Sequence, residues 1–130
     1  MATWSDLVAF MRSEYRVVRI EPDQVRIEVE FDDERRQHVI MQREILDHRD
    51  EWVQIASPCG KANEVNLSAL LTHLGNSAVV GGAVIMGDYV VLRHSLPLAN
   101  LDINEFVDPM ALIAGTADEL EEMFTGGDGY

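Results

Sequence analysis

The chain has 130 residues, of which 47% are hydrophobic and 25% charged, a composition that suits one soluble domain with a single core. Its net charge of −13 disfavours nucleic acid and anionic membrane surfaces as partners, because both need clustered Lys and Arg. The sequence predicts neither a membrane-spanning helix nor a secretory signal. A single cysteine, Cys59, excludes an internal disulfide and suits a reducing compartment, so we expect a cytoplasmic protein.

The N-terminal half predicts one helix followed by four strands. The helix is indicated by apolar residues at helical spacing behind a Thr3 or Ser5 cap, namely Trp4, Leu7, Val8, Met11 and Tyr15. A short strand, Arg16 to Glu21, and the alternating "QVRIEVEF" then predict a hairpin with one buried and one solvated face. Two more strands follow, at about Gln37 to Leu46 and Glu51 to Ser57, before a predicted loop, "SPCGKANE".

The C-terminal half predicts a helix, two strands and a final helical region. The first helix begins at Asn66 and stops at Gly75, and "AVVGGAVIMGDYVVLRHSLP" predicts two strands joined by a tight turn. A last helical segment starts at Asp102, with a new helix expected at Pro109, because proline is best tolerated at a first helical position. We expect residues 126–130 to form a mobile tail.

The predicted order is helix, four strands, helix, two strands, helix. Strands joined by short turns pair antiparallel, and helices that are grouped rather than alternating with strands indicate an α+β fold. We therefore predict one domain over residues 1–130, with a twisted antiparallel sheet of about six strands and helices packed on it.

The two later strands are apolar on both faces, at Val79 to Met86 and Val90 to Leu92. Such strands need cover on both faces, whereas three short helices can cover only one face of a six-stranded sheet. A second subunit or a bound partner is the simplest cover. The alternative is a bulge at Gly81 and Gly82, with local loops covering the remaining area.

The triplet Arg93-His94-Ser95 could suggest an active centre. Adjacent residues of a strand point to opposite faces, so His94 and Ser95 cannot meet as base and nucleophile. The triplet is therefore predicted to be a strand end.

Four residues, Asp47, His48, Asp50 and Glu51, could bind a hard metal or carry acid–base chemistry. They fall in a predicted turn, where charged residues collect because turns are solvated. We expect no catalytic residue, metal or cofactor, and predict that the protein is not an enzyme.

The stretch "VVLRHSLPLANLDINEF", followed by "AGTADELEEMFTGGDGY", resembles the YbjN-type family, described as bacterial sensory-transduction regulators. The helix "NLSALLTHLGN" and the strands "YRVVRIEPDQVRIEVEF" fit the same order, so the resemblance covers nearly the whole chain. It implies the fold of type III secretion chaperones, which are commonly dimeric and hold clients by strand addition and apolar patches. It brings no catalytic residues with it.

The sequence thus favours a protein-binding module, chaperone-like or regulatory, that forms a homodimer and captures a protein or peptide partner. A small-ligand sensor domain is the alternative, and a metal-dependent enzyme using the Asp47 cluster is a further one. The candidate dimer or partner contacts are Trp52, Leu70, Leu71, Leu74, Val80, Val84, Met86 and Val91.

Overall fold

The computed structural model describes residues 3–78 and 81–126. In this part of the chain the elements are α1 (Trp4–Glu14), β1 (Arg16–Glu21), β2 (Gln24–Glu30), β3 (Arg36–Leu46), β4 (Asp50–Lys61), α2 (Leu67–Ser77), β5 (Gly82–Met86), β6 (Tyr89–Pro97) and α3 (Ile103–Thr125). The predicted order of helices and strands is confirmed.

The strands form one six-stranded sheet in the order β1-β2-β3-β4-β6-β5, and every neighbouring pair is antiparallel. Helix α2 stands between β4 and β5 in the chain, and β6 rather than β5 lies beside β4. The fold is therefore α+β, with β1 and β5 at the two edges of the sheet.

The hydrophobic core lies on one face of this sheet. On β2, Val25 and Ile27 are 1% and 0% exposed, while Arg26 and Glu28 between and beside them point the other way. Helices α1, α2 and α3 all bury residues in the same core cluster, among them Leu7, Leu70 and Phe106. The three helices therefore cover one side of the sheet.

Two predicted helix starts are confirmed by their caps. The Thr3 hydroxyl accepts from the backbone N–H of Asp6 at 3.2 Å, and the Asp6 carboxylate accepts from the N–H of Thr3 at 2.9 Å. At α3, the carboxylate of Glu105 accepts from the N–H of Asp102 at 3.1 Å. The tight turn between β5 and β6 has Gly87 at φ 61°, a conformation that favours glycine.

The predicted loop "SPCGKANE" is wrong in its first half, because β4 continues to Lys61. The register shifts between Pro58 and Gly60, where the chain accommodates a residue that cannot donate a ladder hydrogen bond. The carbonyl of Pro58 accepts from Nε2 of Gln37 at 2.6 Å, and Cys59 is 0% exposed. Long-range contacts thus keep this segment in the sheet.

Two helix boundaries also differ from the prediction. Helix α2 passes through Gly75 and ends at Ser77, so this glycine is inside the helix. Helix α3 is continuous across Pro109, which costs one backbone hydrogen bond. Phe106 and Met110, on either side of the proline, are 0% and 1% exposed, so burial of one helical face on both sides of Pro109 favours a single helix.

None of the helices in the described residues combines the length and the apolar character needed to cross a membrane.

Candidate functional site: the open face of the sheet

The side of the sheet opposite the helices, called the open face here, carries the residues that alternate with the core. No member of the row Arg26, Ile40, Ala56 belongs to the core cluster, although Ala56 is only 5% exposed. Val91 is similarly 7% exposed and lies outside that cluster. These two side chains are thus nearly inaccessible to solvent although they lie on the face opposite the helices.

A groove of about 680 Å³ runs across the open face. Its lining comes from β2, β3, β4 and the β5–β6 hairpin, and consists of Gln24, Arg26, His38, Ile40, Gln42, Glu44, Gln54, Ala56, Pro58, Met86, Tyr89 and Val91. The hairpin end and the floor of the groove are apolar, whereas the β2 end carries a cation and amides. Volumes of this size are typical of small-molecule sites.

The apolar hairpin β5–β6 has different cover on its two faces. Val90 and Leu92 are 2% and 0% exposed in the core, and α3 packs against β6. On the open face, Met86 and Tyr89 remain 43% and 37% exposed. The predicted excess of apolar area on this hairpin is therefore present on its helix-free side. At the edge, Ile85 is 58% exposed even though it points to the helix side.

The two edge strands differ in how they are protected. β1 carries Arg16, Arg19 and Glu21 and has an irregular register between Val17 and Arg19, features that discourage pairing with another strand. β5, with the sequence "GAVIM", has no charged residue and no register shift against β6. Among the described residues, no strand lies beyond β5, so its outer edge is open to strand addition.

Arg26 lies at the β2 end of the groove without an acidic partner among the described residues. Its Nε is buried and has no hydrogen-bond acceptor. Its cross-strand neighbours are Arg19 on β1 and Ile40 on β3, so neither supplies a carboxylate. Arg19 is itself paired with Glu21, at 2.5 Å between Nη2 and Oε1.

Glu28, two residues along the same strand face, is engaged by two other arginines and by a histidine. Its Oε1 lies 3.5 Å from Nη1 of Arg16 and 3.5 Å from Nη1 of Arg36. Its Oε2 lies 3.4 Å from Nε2 of His38. The carboxylate nearest to Arg26 along β2 is therefore turned toward a different set of charges.

Amide side chains line the polar wall of the groove. Gln24 donates to Oε1 of Gln42 at 2.8 Å, and Gln54 donates to Oε1 of Glu44 at 2.7 Å. Glu44 is the one carboxylate among the residues that line the groove, and it is the acceptor of the Gln54 hydrogen bond. The wall is thus held in place by its own hydrogen bonds, which is a form of preorganisation.

A second polar cluster lies between the turn preceding β3 and helix α3. Nε of Arg35 is 3.1 Å and 3.2 Å from the two oxygens of Asp118, and Nη2 is 3.6 Å from Oε1 of Glu121. Glu121 is 0% exposed. Burial of these carboxylates requires a compensating cation, and Arg35 supplies it.

Asp33, Asp118 and Glu122 bring carboxylate oxygens within 4.8 Å of one another, the one such group among the described residues. Arg35 already occupies this position, because its Nε also lies 3.6 Å from Oε2 of Glu122. A guanidinium in this place provides the positive charge that a metal would otherwise supply. We therefore assign the cluster to structure, where it ties α3 to the sheet.

Cys59 is buried on the helix side of β4. Burial, with a smaller contribution from the negative charge of Glu121, raises the pKa of its thiol to about 12. Its Sγ donates to the carbonyl of Val90 at 3.5 Å. A thiol in this state is a poor nucleophile, so its environment suits a packing residue.

The predicted contact residues are divided by the fold. Trp52, Val84, Met86 and Val91 lie on the open face, the first two half-buried. Val80 lies outside the described residues, as does the predicted tail beyond Gly126.

The predicted contact role of Leu70 and Leu74 needs correction. They are 0% and 7% exposed and belong to the core cluster, because the apolar face of α2 packs on the sheet. Leu71, between them, is 52% exposed but points away from the sheet. Helix α2 therefore offers a partner one leucine rather than three.

The four residues of the enzyme alternative are all exposed at the β3–β4 turn. Asp47 and His48 adopt φ values of 54° and 58° in that turn. Asp50 pairs with Arg49 at 3.4 Å, and Glu51 accepts from Nε of Arg43 at 2.6 Å.

The Arg93-His94-Ser95 triplet lies in a strand, as predicted, but not at its end, because β6 continues to Pro97. Its three residues pair with Ala56, Ile55 and Gln54 in turn, so His94 lies on the helix side while Arg93 and Ser95 lie on the open face. The separation of His94 from Ser95 that alternation predicts is therefore confirmed.

The sequence patterns do not reveal that Arg26, Ile40 and the amide wall belong to one site. The alternation of β2 places Arg26 on the solvated face. Whether a carboxylate lies beside Arg26 depends on the pairing register of β2 with β1 and β3. With the register of the β1–β2 hairpin given, the pairing of Arg19 with Arg26 across the two strands is the signal in the sequence that could identify Arg26.

Comparison with known proteins yields no family model that matches the chain, and no curated protein matches it.

Proposed function

We propose that this chain is a non-enzymatic, cytoplasmic protein-binding module, chaperone-like or regulatory, that forms a homodimer or captures a protein partner. The observation that carries the proposal is the uncharged edge strand β5, whose Ile85 and Met86 are 58% and 43% exposed. A partner strand gains main-chain hydrogen bonds at this edge, and the exposed side chains provide apolar contact area.

Apolar side chains that are exposed at this edge favour association. Burial of one such side chain contributes about 1.5–3 kcal/mol, and the sum over the interface must exceed the cost of association. Met86 and Tyr89 continue the apolar surface onto the open face, so a partner that pairs with β5 also covers the unshielded side of the hairpin. The opposite edge of the sheet, β1, is charged and is therefore less favourable for the addition of a partner strand.

The resemblance to the YbjN-type family supports the same function, because it implies a type III secretion chaperone-like fold that binds clients and is commonly dimeric. A small-ligand sensor is the second candidate, favoured by the groove and by the buried Nε of Arg26 in it, which has no hydrogen-bond partner in the described part of the chain.

The test compares two double variants with matched chemistry. Ile85→Lys with Met86→Lys places charges on the β5 edge, and Leu112→Lys with Met123→Lys places the same charges on the outer surface of α3. Leu112 and Met123 are 40% and 54% exposed, comparable with the hairpin pair. Light scattering after size-exclusion chromatography measures the mass, and affinity capture from native cytoplasm measures partner retention.

We expect the wild-type protein and the α3 variant to be dimeric or to retain the same partner, and the β5 variant to lose this association. Loss in both variants would assign the effect to added positive charge. A wild-type protein that is monomeric at micromolar concentration and retains no partner would overturn the proposal.

A further inference from the structure

We propose that the groove on the open face binds a small carboxylic acid with an apolar body, and that the carboxylate pairs with Arg26. This site goes beyond the proposed protein-binding function, because it requires no protein partner. Its chemistry is set by three features of the groove: a guanidinium that lacks an acceptor among the described residues, an apolar floor and a volume suited to a small molecule.

The first feature is the unsatisfied donor. A buried N–H without an acceptor costs free energy in the empty protein, and a ligand that supplies an acceptor recovers it. Nε of Arg26 is such a donor. Charge complementarity therefore selects an anion, and a planar carboxylate fits the geometry of a guanidinium.

The neighbouring acids do not compete for Arg26. Glu28 is held by Arg16, Arg36 and His38, at 3.4–3.5 Å. Glu44 accepts a hydrogen bond from Gln54 at 2.7 Å. An incoming carboxylate at Arg26 thus meets a guanidinium rather than an existing ion pair.

The second feature is the floor beside Arg26. Ile40 and Ala56 follow it along one row of the sheet, and Val91 and Met86 continue the apolar surface toward the hairpin. From β2 to β6 the sheet spans three strand spacings, about 14 Å. A ligand with its carboxylate at Arg26 therefore lays an apolar chain or ring along this row.

The third feature is size. A groove of about 680 Å³ falls within the range of about 300–1,000 Å³ of small-molecule sites. The amides of Gln24 and Gln42 close its polar wall through their 2.8 Å hydrogen bond. A small acid fits within such a volume.

The experiment measures binding of decanoate, below its micelle-forming concentration, by isothermal titration calorimetry. Decanamide, which has the same chain without the charge, is the ligand control. The test variant is Arg26→Gln, and Arg26→Lys keeps the charge but removes the bidentate fork. Arg93→Gln is the matched protein control, because Arg93 lies on the same face, opposite Ala56, but outside the groove lining.

We expect saturable one-site binding of decanoate to the wild-type protein, at least tenfold weaker binding of decanamide, and a loss of at least tenfold in Arg26→Gln. Arg26→Lys recovers part of the affinity, and Arg93→Gln changes it less than twofold.

Absence of saturable decanoate binding to the wild-type protein would overturn the proposal, and so would equal affinities of the wild type and Arg26→Gln. Equal losses in Arg26→Gln and Arg93→Gln would assign binding to general charge and also overturn it. The single variant Ile85→Lys separates the two proposals, because Ile85 is at the β5 edge and outside the groove: it removes protein association and leaves decanoate binding unchanged.

Discussion

Arg35 and Asp118 stand 83 residues apart in the chain and are joined by a forked contact, with Nε of the arginine 3.1 Å and 3.2 Å from the two carboxylate oxygens. The side chains of the pair are 16% and 11% exposed, so solvent screens the interaction weakly. The contact fastens the C-terminal half of α3 to the turn before β3. It thereby fixes the helix that covers the centre of the sheet.

Replacement of Arg35 by Ala should destabilise the protein strongly. The variant leaves Asp118 and the fully buried Glu121 without this cation, and loss of one partner of a buried pair costs about 3–5 kcal/mol. Urea unfolding followed by circular dichroism measures the change. Arg49→Ala is the control, because the side chains of Arg49 and its partner Asp50 are 80% and 53% exposed, which predicts a loss below about 1 kcal/mol. Similar losses in the two variants would contradict this role of Arg35.

Replacement of glycine by alanine should have opposite effects on stability at two positions. Gly81 has φ 81°, and a Cβ there would lie 2.6 Å from Cδ1 of Ile113 and 2.9 Å from the carbonyl oxygen of Arg93. Gly81→Ala should therefore lower the free energy of unfolding by about 1–3 kcal/mol. Gly75 is inside α2 with open space around it, so Gly75→Ala should raise the free energy of unfolding by about 0.5–1 kcal/mol. Thermal unfolding of both variants gives the signs, and two changes of the same sign would refute the local geometry.

The Cys59 thiol should react only when the chain unfolds. It is 0% exposed, and burial raises its pKa to about 12, so the native protein presents almost no thiolate at pH 8. Labelling with a chromogenic disulfide reagent should be slow in buffer and complete within minutes in concentrated urea. Rapid labelling of the native protein would show that this part of β4 opens readily.

The same thiol makes stability depend on alkaline pH. In the unfolded chain Cys59 loses its proton near its ordinary pKa of 9.0, whereas the folded chain keeps the proton up to about pH 12. The contribution of this pKa difference to the free energy of unfolding is complete below pH 9. It is lost between pH 9 and pH 12, at up to about 1.4 kcal/mol per pH unit. Urea unfolding at pH 8 and pH 10.5 should therefore show a larger decrease for the wild type than for Cys59→Ala. Equal decreases in the free energy of unfolding of the wild type and of Cys59→Ala would contradict this role of the thiol.

The order of elements could be predicted because it depends on local periodicity. The alternation of Val25 and Ile27 with Arg26 is enough to define β2 and its buried face, and Thr3 and Asp102 mark helix starts by their own side chains. These signals act over a few residues, so they are visible in the sequence before any tertiary contact is known.

The predictions that are wrong concern segments whose structure is determined by residues distant in the sequence. Pro58 and Pro109 carry local signals that end a strand or a helix, but a hydrogen bond from Gln37 and burial on both sides of the second proline keep the elements continuous. The groove is missed for the same reason, because the lack of a carboxylate partner for Arg26 among the described residues follows from its register against Arg19 and Ile40. Register is a property of strand pairs and cannot be read from one strand.

The unequal edges of the sheet limit how far any assembly through this sheet can grow. If two copies join β5 to β5 about a two-fold axis, each copy uses its one receptive edge, and the outer margins of the joined sheet are two copies of β1. Arg16, Arg19 and Glu21, with the irregular register between them, discourage a third copy from adding there. Growth therefore terminates at a closed pair, and an uncharged edge that could seed fibrils is buried as soon as the pair forms.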